Sequence, residues 1–477
     1  MKIKLQVIIL SIIFLGSTRL IKAQDGEFTD VEILQQRTDA LESAVTTLQK
    51  FKVSGYIQAQ YQYGESAADG NNFKLAKRAN SYESNAFYPG SNDYKGLDGY
   101  SRFGLRRGRI KFTYEEGIAS GVAQIDITDK GVNDANVPGR NVVMFKDLYI
   151  NVKDPWFGTN ALRAGIFDRP FGHEIANSSS RRESPERARI IQSLFPDERD
   201  LGAMLILQPA KTSAWNILKL EAGMFAGNGI KPQIDNHMDF IGHLSFAKVF
   251  GSDMSLSGGI SLYMGGVLQT DSSTYVMQDK RFVLDSKNRD NIGKLATRQY
   301  IGFDAQFSMI TEAGLTQLRG EYIFGKHPGN ASAAYSFGLN DIQSGAVYMR
   351  NISGGYLIFV QDLGKTPFSA VVKYDWYNPN TDVAGDDIAS PDVLKNSTDK
   401  PTVAGLGDAT MSNIGLGLLW RISPALKLTA YYDIVKNETT KHNKNTTVSD
   451  SDSRITRYGY EGERPDNVFT LRLQYKF

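Results

Sequence analysis

Cysteine is missing altogether from the 477 residues, which excludes a disulfide framework and any thiolate metal site. Histidine is scarce: His173, His237, His243, His327 and His442 lack ligand spacing apart from a weak His237 and His243 pair, so neither a metal nor a cofactor is expected. No GxSxG elbow, HExxH pair or dinucleotide fingerprint occurs, and no enzyme is expected. "GEYIFGKH", residues 320–327, matches the first part of a phosphate-cradling loop. There His327 replaces the required Ser or Thr, and the segment alternates as a strand does. Long apolar runs are absent too, except at the N-terminus.

That exception is a leader. Lys2 and Lys4 precede an apolar run from Leu5 to Leu15, and a shorter polar stretch follows up to Ala23. The core is too short to span a bilayer, so residues 1–23 are expected to be a signal peptide and the protein exported. Without Lys2, Lys4, Arg19 and Lys22 the chain holds 50 basic against 52 acidic residues. A broad basic face of the kind nucleic acid needs is therefore not expected.

Over residues 24–50, Val31, Thr38 and Val45 alternate with Leu34, Leu41 and Leu48 at heptad spacing, after a capping box of Thr29 and Glu32. This predicts a coiled-coil helix or an amphipathic helix lying on a neighbour, and both stay open.

From Phe51 the period changes to two. In "VVMFKDLYINVKD" Val142, Met144, Lys146, Leu148, Ile150 and Val152 share one face by parity; in "DNVFTLRLQYKF" Phe469, Leu471, Leu473, Tyr475 and Phe477 do. Sixteen such segments can be drawn between residues 51 and 477, joined by short turns such as "EEGI", "DPWFGTN" and "ISPA" in strict alternation with long polar links. An even number of alternating strands with all long links at one end predicts an all-β transmembrane barrel over 51–477. Tyr114, Trp156, Phe157, Trp376, Tyr377, Trp420 and Tyr432 near strand ends suit the aromatic girdles of such a barrel. A barrel enzyme would need a Ser or acid cluster with a His at the rim, which the sequence does not assemble.

"LRRGRIKFTYEEG", "FKDLYINV", "LRAGIFDRPFGHEIANSSSRRESPERAR" with "FPDERDLGAML", and "VVKYDWYNPN" resemble successive blocks of the phosphate-selective porin O and P family. The resemblance runs from Phe51 to Phe477. It implies a trimeric sixteen-stranded barrel in the outer membrane of a Gram-negative bacterium, surrounded by lipid and conducting small anions such as phosphate or polyphosphate by diffusion. It also implies an insertion signal at the terminal Phe477, a lumen ladder of arginines and a lysine-rich mouth. No compact lysine cluster stands in the long links, and this departure leaves open a general, sugar or organic-acid porin, or a barrel-anchored adhesin.

Parity turns Ile110, Phe112 and Tyr114 to lipid and Arg107, Arg109 and Lys111 to the lumen. The same rule sends inward Arg163, Arg169, Lys219, Arg319, Lys373, Arg421, Lys427, Arg472 and Lys476, against the acids Asp126, Asp147, Glu221, Asp304, Glu321, Asp375 and Asp433. Guanidinium suits a passing oxyanion because its fork gives bidentate contacts without tight hydration. The link at 170–200 carries Arg181, Arg182, Arg187 and Arg189 among a similar number of acids. Its length and the family resemblance make it the expected constriction loop.

Overall fold

The structure is a computed structural model that describes residues 50–65, 100–128, 142–196, 198–231, 233, 235–331, 345–388, 402–405, 407–439 and 467–477. The expected signal peptide, and all but Lys50 of the expected coiled-coil helix, lie outside these residues.

Sixteen strands make the wall among the described residues: β1 (Phe51–Gly64), β2 (Tyr100–Glu116), β3 (Ala119–Thr128), β4 (Val142–Lys153), β5 (Ala161–Asp168), β6 (Arg199–Leu207), β7 (Leu218–Phe225), β8 (Asp239–Phe250), β9 (Met254–Leu268), β12 (Leu295–Thr311), β13 (Gly314–Gly329), β14 (Val347–Asp362), β15 (Phe368–Asn378), β17 (Met411–Arg421), β18 (Leu426–Asn437) and β19 (Val468–Lys476). Each pairs with its neighbours in chain order, and β1 closes on β19 antiparallel from Tyr56↔Lys476 to Gly64↔Val468. The Gly55 and Phe477 backbones seal the seam with two hydrogen bonds of 2.9 Å. Closure matters because an open edge in lipid would leave a row of backbone groups without partners.

Alternation decides which way each side chain points. On β19 Leu471, Leu473 and Tyr475 are exposed outward, whereas Thr470, Arg472 and Gln474 are buried inside. Trp156, Phe157, Trp215 and Trp420 are exposed at the short-turn end, where an aromatic girdle meets the membrane surface. Tyr377 does not join a girdle: it turns inward and is buried.

Strand β4 departs from strict parity. Leu148, Ile150 and Val152 face out, but so do Val143 and Phe145, because Gln124 pairs with Asp147 while Ile125 pairs with Phe145. Lys146 is the extra residue of a bulge, so Lys146 and Asp147 both turn inward and are buried. The single face expected for Met144, Lys146, Leu148, Ile150 and Val152 is thereby corrected.

The remaining strands lie at the long-link end. β10 (Ser273–Gln278) and β11 (Arg281–Lys287) form a hairpin; β10 runs parallel to the start of β14, and β11 pairs with β16 (Thr402–Val403). Tyr275, Phe282, Val383, Ile388, Ala404 and Ala409 form a small core beneath them. The fully buried Arg350–Asp408 pair, 2.5 Å apart, ties β14 to this module.

Candidate functional site

The connection between β5 and β6 does not leave the barrel. Phe171, Ile175, Ile190, Ile191, Leu194 and Phe195 pack against the inward faces of Tyr263, Tyr300, Ile323 and Tyr356, forming an apolar core inside the wall. Phe171 and Phe195 rings lie 4.9 Å apart, with Tyr300 a further 5.9 Å from Phe195. This burial of apolar area holds the segment in place.

Within it a short helix, α1 (Arg189–Leu194), is wholly buried. The backbone N–H of Arg189 donates to Asp375 (2.9 Å) and that of Ala188 to Glu174 (2.9 Å), so two carboxylates satisfy its N-terminal donors.

The rest of the loop is tied to strands around the whole wall. Ser179 meets Tyr56 (2.5 Å) and Gln58 (3.0 Å) on β1, and Gln474 on β19 donates to the Ser180 carbonyl (2.9 Å). Lys427 on β18 donates to the Arg182 carbonyl (2.9 Å), and the Gly172 amide donates to Ser261 on β9 (2.8 Å). Glu321 on β13 accepts the amides of His173 and Glu174. A segment held from β1, β9, β13, β18 and β19 at once crosses the barrel interior.

Buried charges of both signs line the interior. On the β1, β2 and β19 side one carboxylate, Glu186, receives Arg106 (2.8 Å), Arg472 (3.1 Å) and Arg107 (3.5 Å). Arg109 pairs with Asp126 (2.9 Å) beside them. From β12 round to β18 stand Asp304, Glu321, Asp375 and Asp433, with Glu174 of the loop; Lys373 lies 3.7 Å from Glu174 and 3.6 Å from Asp375, and His243 Nε2 lies 3.0 Å from Asp304. Burial opposes ionisation of Glu186, yet the charges of Arg106, Arg107 and Arg472 hold its carboxyl well below the usual range. Burial likewise opposes the Glu198 charge, which Arg187, Lys146 and Arg199 hold well down. His173 is lowered by burial and by Arg319, so it stays neutral at pH 7.

The expected cations fare differently. Arg107 and Arg109 are buried and inward, as parity places them; Lys111 is half-buried. Arg163 lies 4.8 Å over the Tyr149 ring, a cation–π contact. Arg169 is locked on Asp200 (3.0 Å), Arg187 on Glu198 (2.5 Å) and loop carbonyls, and Arg319 on Glu183. Arg189 is buried in α1. Arg181 is exposed to the lumen. Arg182 is the exception: it is buried, and none of its three guanidinium nitrogens has a hydrogen-bond partner. Burial, with Arg187 adding to it, pushes that guanidinium down to about 9. An unbroken row of free arginines is therefore not what the chain builds. Loop carboxylates engage Arg107, Arg187 and Arg319, and strand carboxylates engage Arg109 and Arg169.

Sequence parity missed Arg106, Lys146 and Glu186. Arg106 and Lys146 occupy lipid-facing parity positions; a charge there is costly in a barrel wall, and that mismatch is the signal that parity fails at these two residues.

Comparison with curated proteins finds no match. Solved structures similar to this chain include the outer membrane channel DcaP of Acinetobacter baumannii (9% identity, 90% of this chain and 97% of that one, TM-score 0.48). OprB of Pseudomonas putida has 10% identity over 92% of this chain and 97% of its own, with a TM-score of 0.48. The trimer form of OmpT from Vibrio cholerae has 10% identity over 90% and 99%, with a TM-score of 0.46. Residues 82–264, from the link after β1 through the interior loop to β9, match the model of the family described as phosphate-selective porin O and P. Over that segment the chain is similar to the phosphate-selective porin O and P family.

Proposed function

We propose that the barrel is an outer-membrane channel passing small anions by diffusion, phosphate or polyphosphate among them, that it works as a homotrimer, and that residues 170–200 form its constriction. The observation that carries this reading is the convergence of Arg106, Arg107 and Arg472 on the single carboxylate of Glu186, with the unpartnered Arg182 guanidinium near Arg107. Three guanidiniums on one acid leave an excess of positive charge, and a low-dielectric wall focuses it on solutes in the lumen.

Planar-bilayer currents of the purified protein test the reading. Stepwise currents with reversal potentials favouring anions are expected, and Arg107→Glu should move the preference toward cations. Silent or cation-selective membranes would end the proposal. A second reading, a porin for organic acids or sugars, is favoured by the pairing of Arg109, Arg169, Arg187 and Arg319 with carboxylates. Competition of phosphate with chloride separates the two: a phosphate-selective pore loses chloride current at low phosphate, and a general one does not.

A further inference from the structure

At the short-turn end, below the interior loop, a cavity of about 620 Å³ opens between Ser180, Arg181 and Glu183 and the ends of β17, β18 and β19. Short turns of outer-membrane barrels face the periplasm, so this is the exit vestibule.

Its two sides differ in chemistry. One carries Arg181, Lys427 and Lys476, and none of these three is ion-paired among the described residues. Lys427 donates only to the Arg182 carbonyl. The nearby acid, Glu183, is already engaged by Arg319, and Arg421 by Asp362. The other side is apolar: Leu419, Ile422, Pro424 and Ala425. The cavity of about 400 Å³ across the loop shares Arg181 and Glu183, but its wall carries Gln306, Ser308 and Gln317, holds no lysine among the described residues, and its Arg319 is paired.

An inorganic oxyanion can use the three cations but not the apolar wall, against which it would shed water for no return. An organic anion with an apolar body uses both, its charged end on the ammonium and guanidinium groups and its body on Ile422 and Pro424. We infer that this vestibule is a binding site for organic carboxylates with an aromatic or branched aliphatic body. The inference rests on the anion-conducting reading, which delivers such solutes to the exit.

Two measurements on the full-length protein test it, with benzoate as the probe and inorganic phosphate as the comparison. In planar bilayers at pH 7, benzoate should interrupt the current at concentrations about tenfold below phosphate, the return on burying one face of a ring. Ile422→Ser should remove most of that difference, and Lys476→Gln should raise the half-blocking benzoate concentration several-fold. In detergent, benzoate should raise the unfolding temperature of the wild type, and markedly less that of Lys476→Gln. Anion currents with equal blocking by the two probes overturn the site while leaving the conduction reading intact. Silent or cation-selective membranes overturn that reading, and the unfolding shift then still decides the site: a benzoate-specific rise supports it and no rise overturns it.

Discussion

Arg106 grips Glu186 with two nitrogens, Nε to Oε1 at 2.8 Å and Nη2 to Oε2 at 2.9 Å, a fork that joins β2 to the tip of the interior loop. Glu186→Gln would leave Arg106, Arg107 and Arg472 facing one another without a carboxylate. Breaking a buried pair in this way costs about 3–5 kcal/mol. The expected outcome is a lower unfolding midpoint in urea together with stronger anion preference in surviving channels. The wild-type pair also sets a pH window. The Glu186 carboxyl is held below the usual glutamate range, so the stability it contributes is present above that range and lost only as pH falls through the depressed folded value. Loop anchoring, read as constant single-channel conductance, should persist from pH 7 through pH 4.5 and fail further into acid.

Gly172 offers a way to move the loop without touching a charge. Its φ is +62°, and a Cβ there would sit 1.8 Å from Glu321 Oε1. The left-handed backbone alone costs a non-glycine residue roughly 1–2 kcal/mol. Gly172→Ala should therefore break the contacts of His173 and Glu174 with Glu321 and of residue 172 with Ser261, pulling this end of the loop off the wall. A larger and noisier single-channel conductance is expected; an unchanged one would show that the loop does not narrow the pore.

The wall was readable in the sequence because a sheet between lipid and water obliges every second side chain to be apolar, and Leu471, Leu473 and Tyr475 obey that rule. Lys146 did not, since a bulge adds one residue without altering the composition of the strand. The loop's contacts were hidden for another reason. Arg106 and Glu186 are 80 residues apart, and no local period reports which carboxylate a guanidinium will meet across a barrel. Parity could say that Arg107 and Arg109 point inward; it could not say that Glu186 of the loop would meet Arg107 there.

Arg182 tests how far the interior tolerates charge for the sake of solute. Its nitrogens are buried without hydrogen-bond partners, a state that costs free energy for the folded barrel. Arg182→Met keeps the length of the side chain and removes the charge. Relief of the unsatisfied group should stabilise the protein by about 1–3 kcal/mol, seen as a raised unfolding midpoint. The loss of a positive charge beside Arg107 should lower the anion-to-cation permeability ratio in the same protein. A variant neither more stable nor less selective would mean that the guanidinium is satisfied by something bound to it.

The long-link end has its own anchor. Arg350 reaches Asp408 with Nε at 2.5 Å and Nη2 at 3.2 Å, both side chains fully buried, and Asp408 also accepts from Asn380 and the Gly405 amide. Asp408→Ala would strand the Arg350 charge under Phe282, over whose ring it lies at 4.7 Å. The penalty for such an orphaned charge, about 3–5 kcal/mol, falls on the module built from β10, β11 and β16, because the wall strands keep their backbone ladders. Trypsin added to intact cells should then cut at Lys280, Arg281 or Lys287, while the barrel keeps its unfolding midpoint and its conductance. Cleavage no faster than in the wild type would show that the Tyr275 and Phe282 core holds the module without the ion pair.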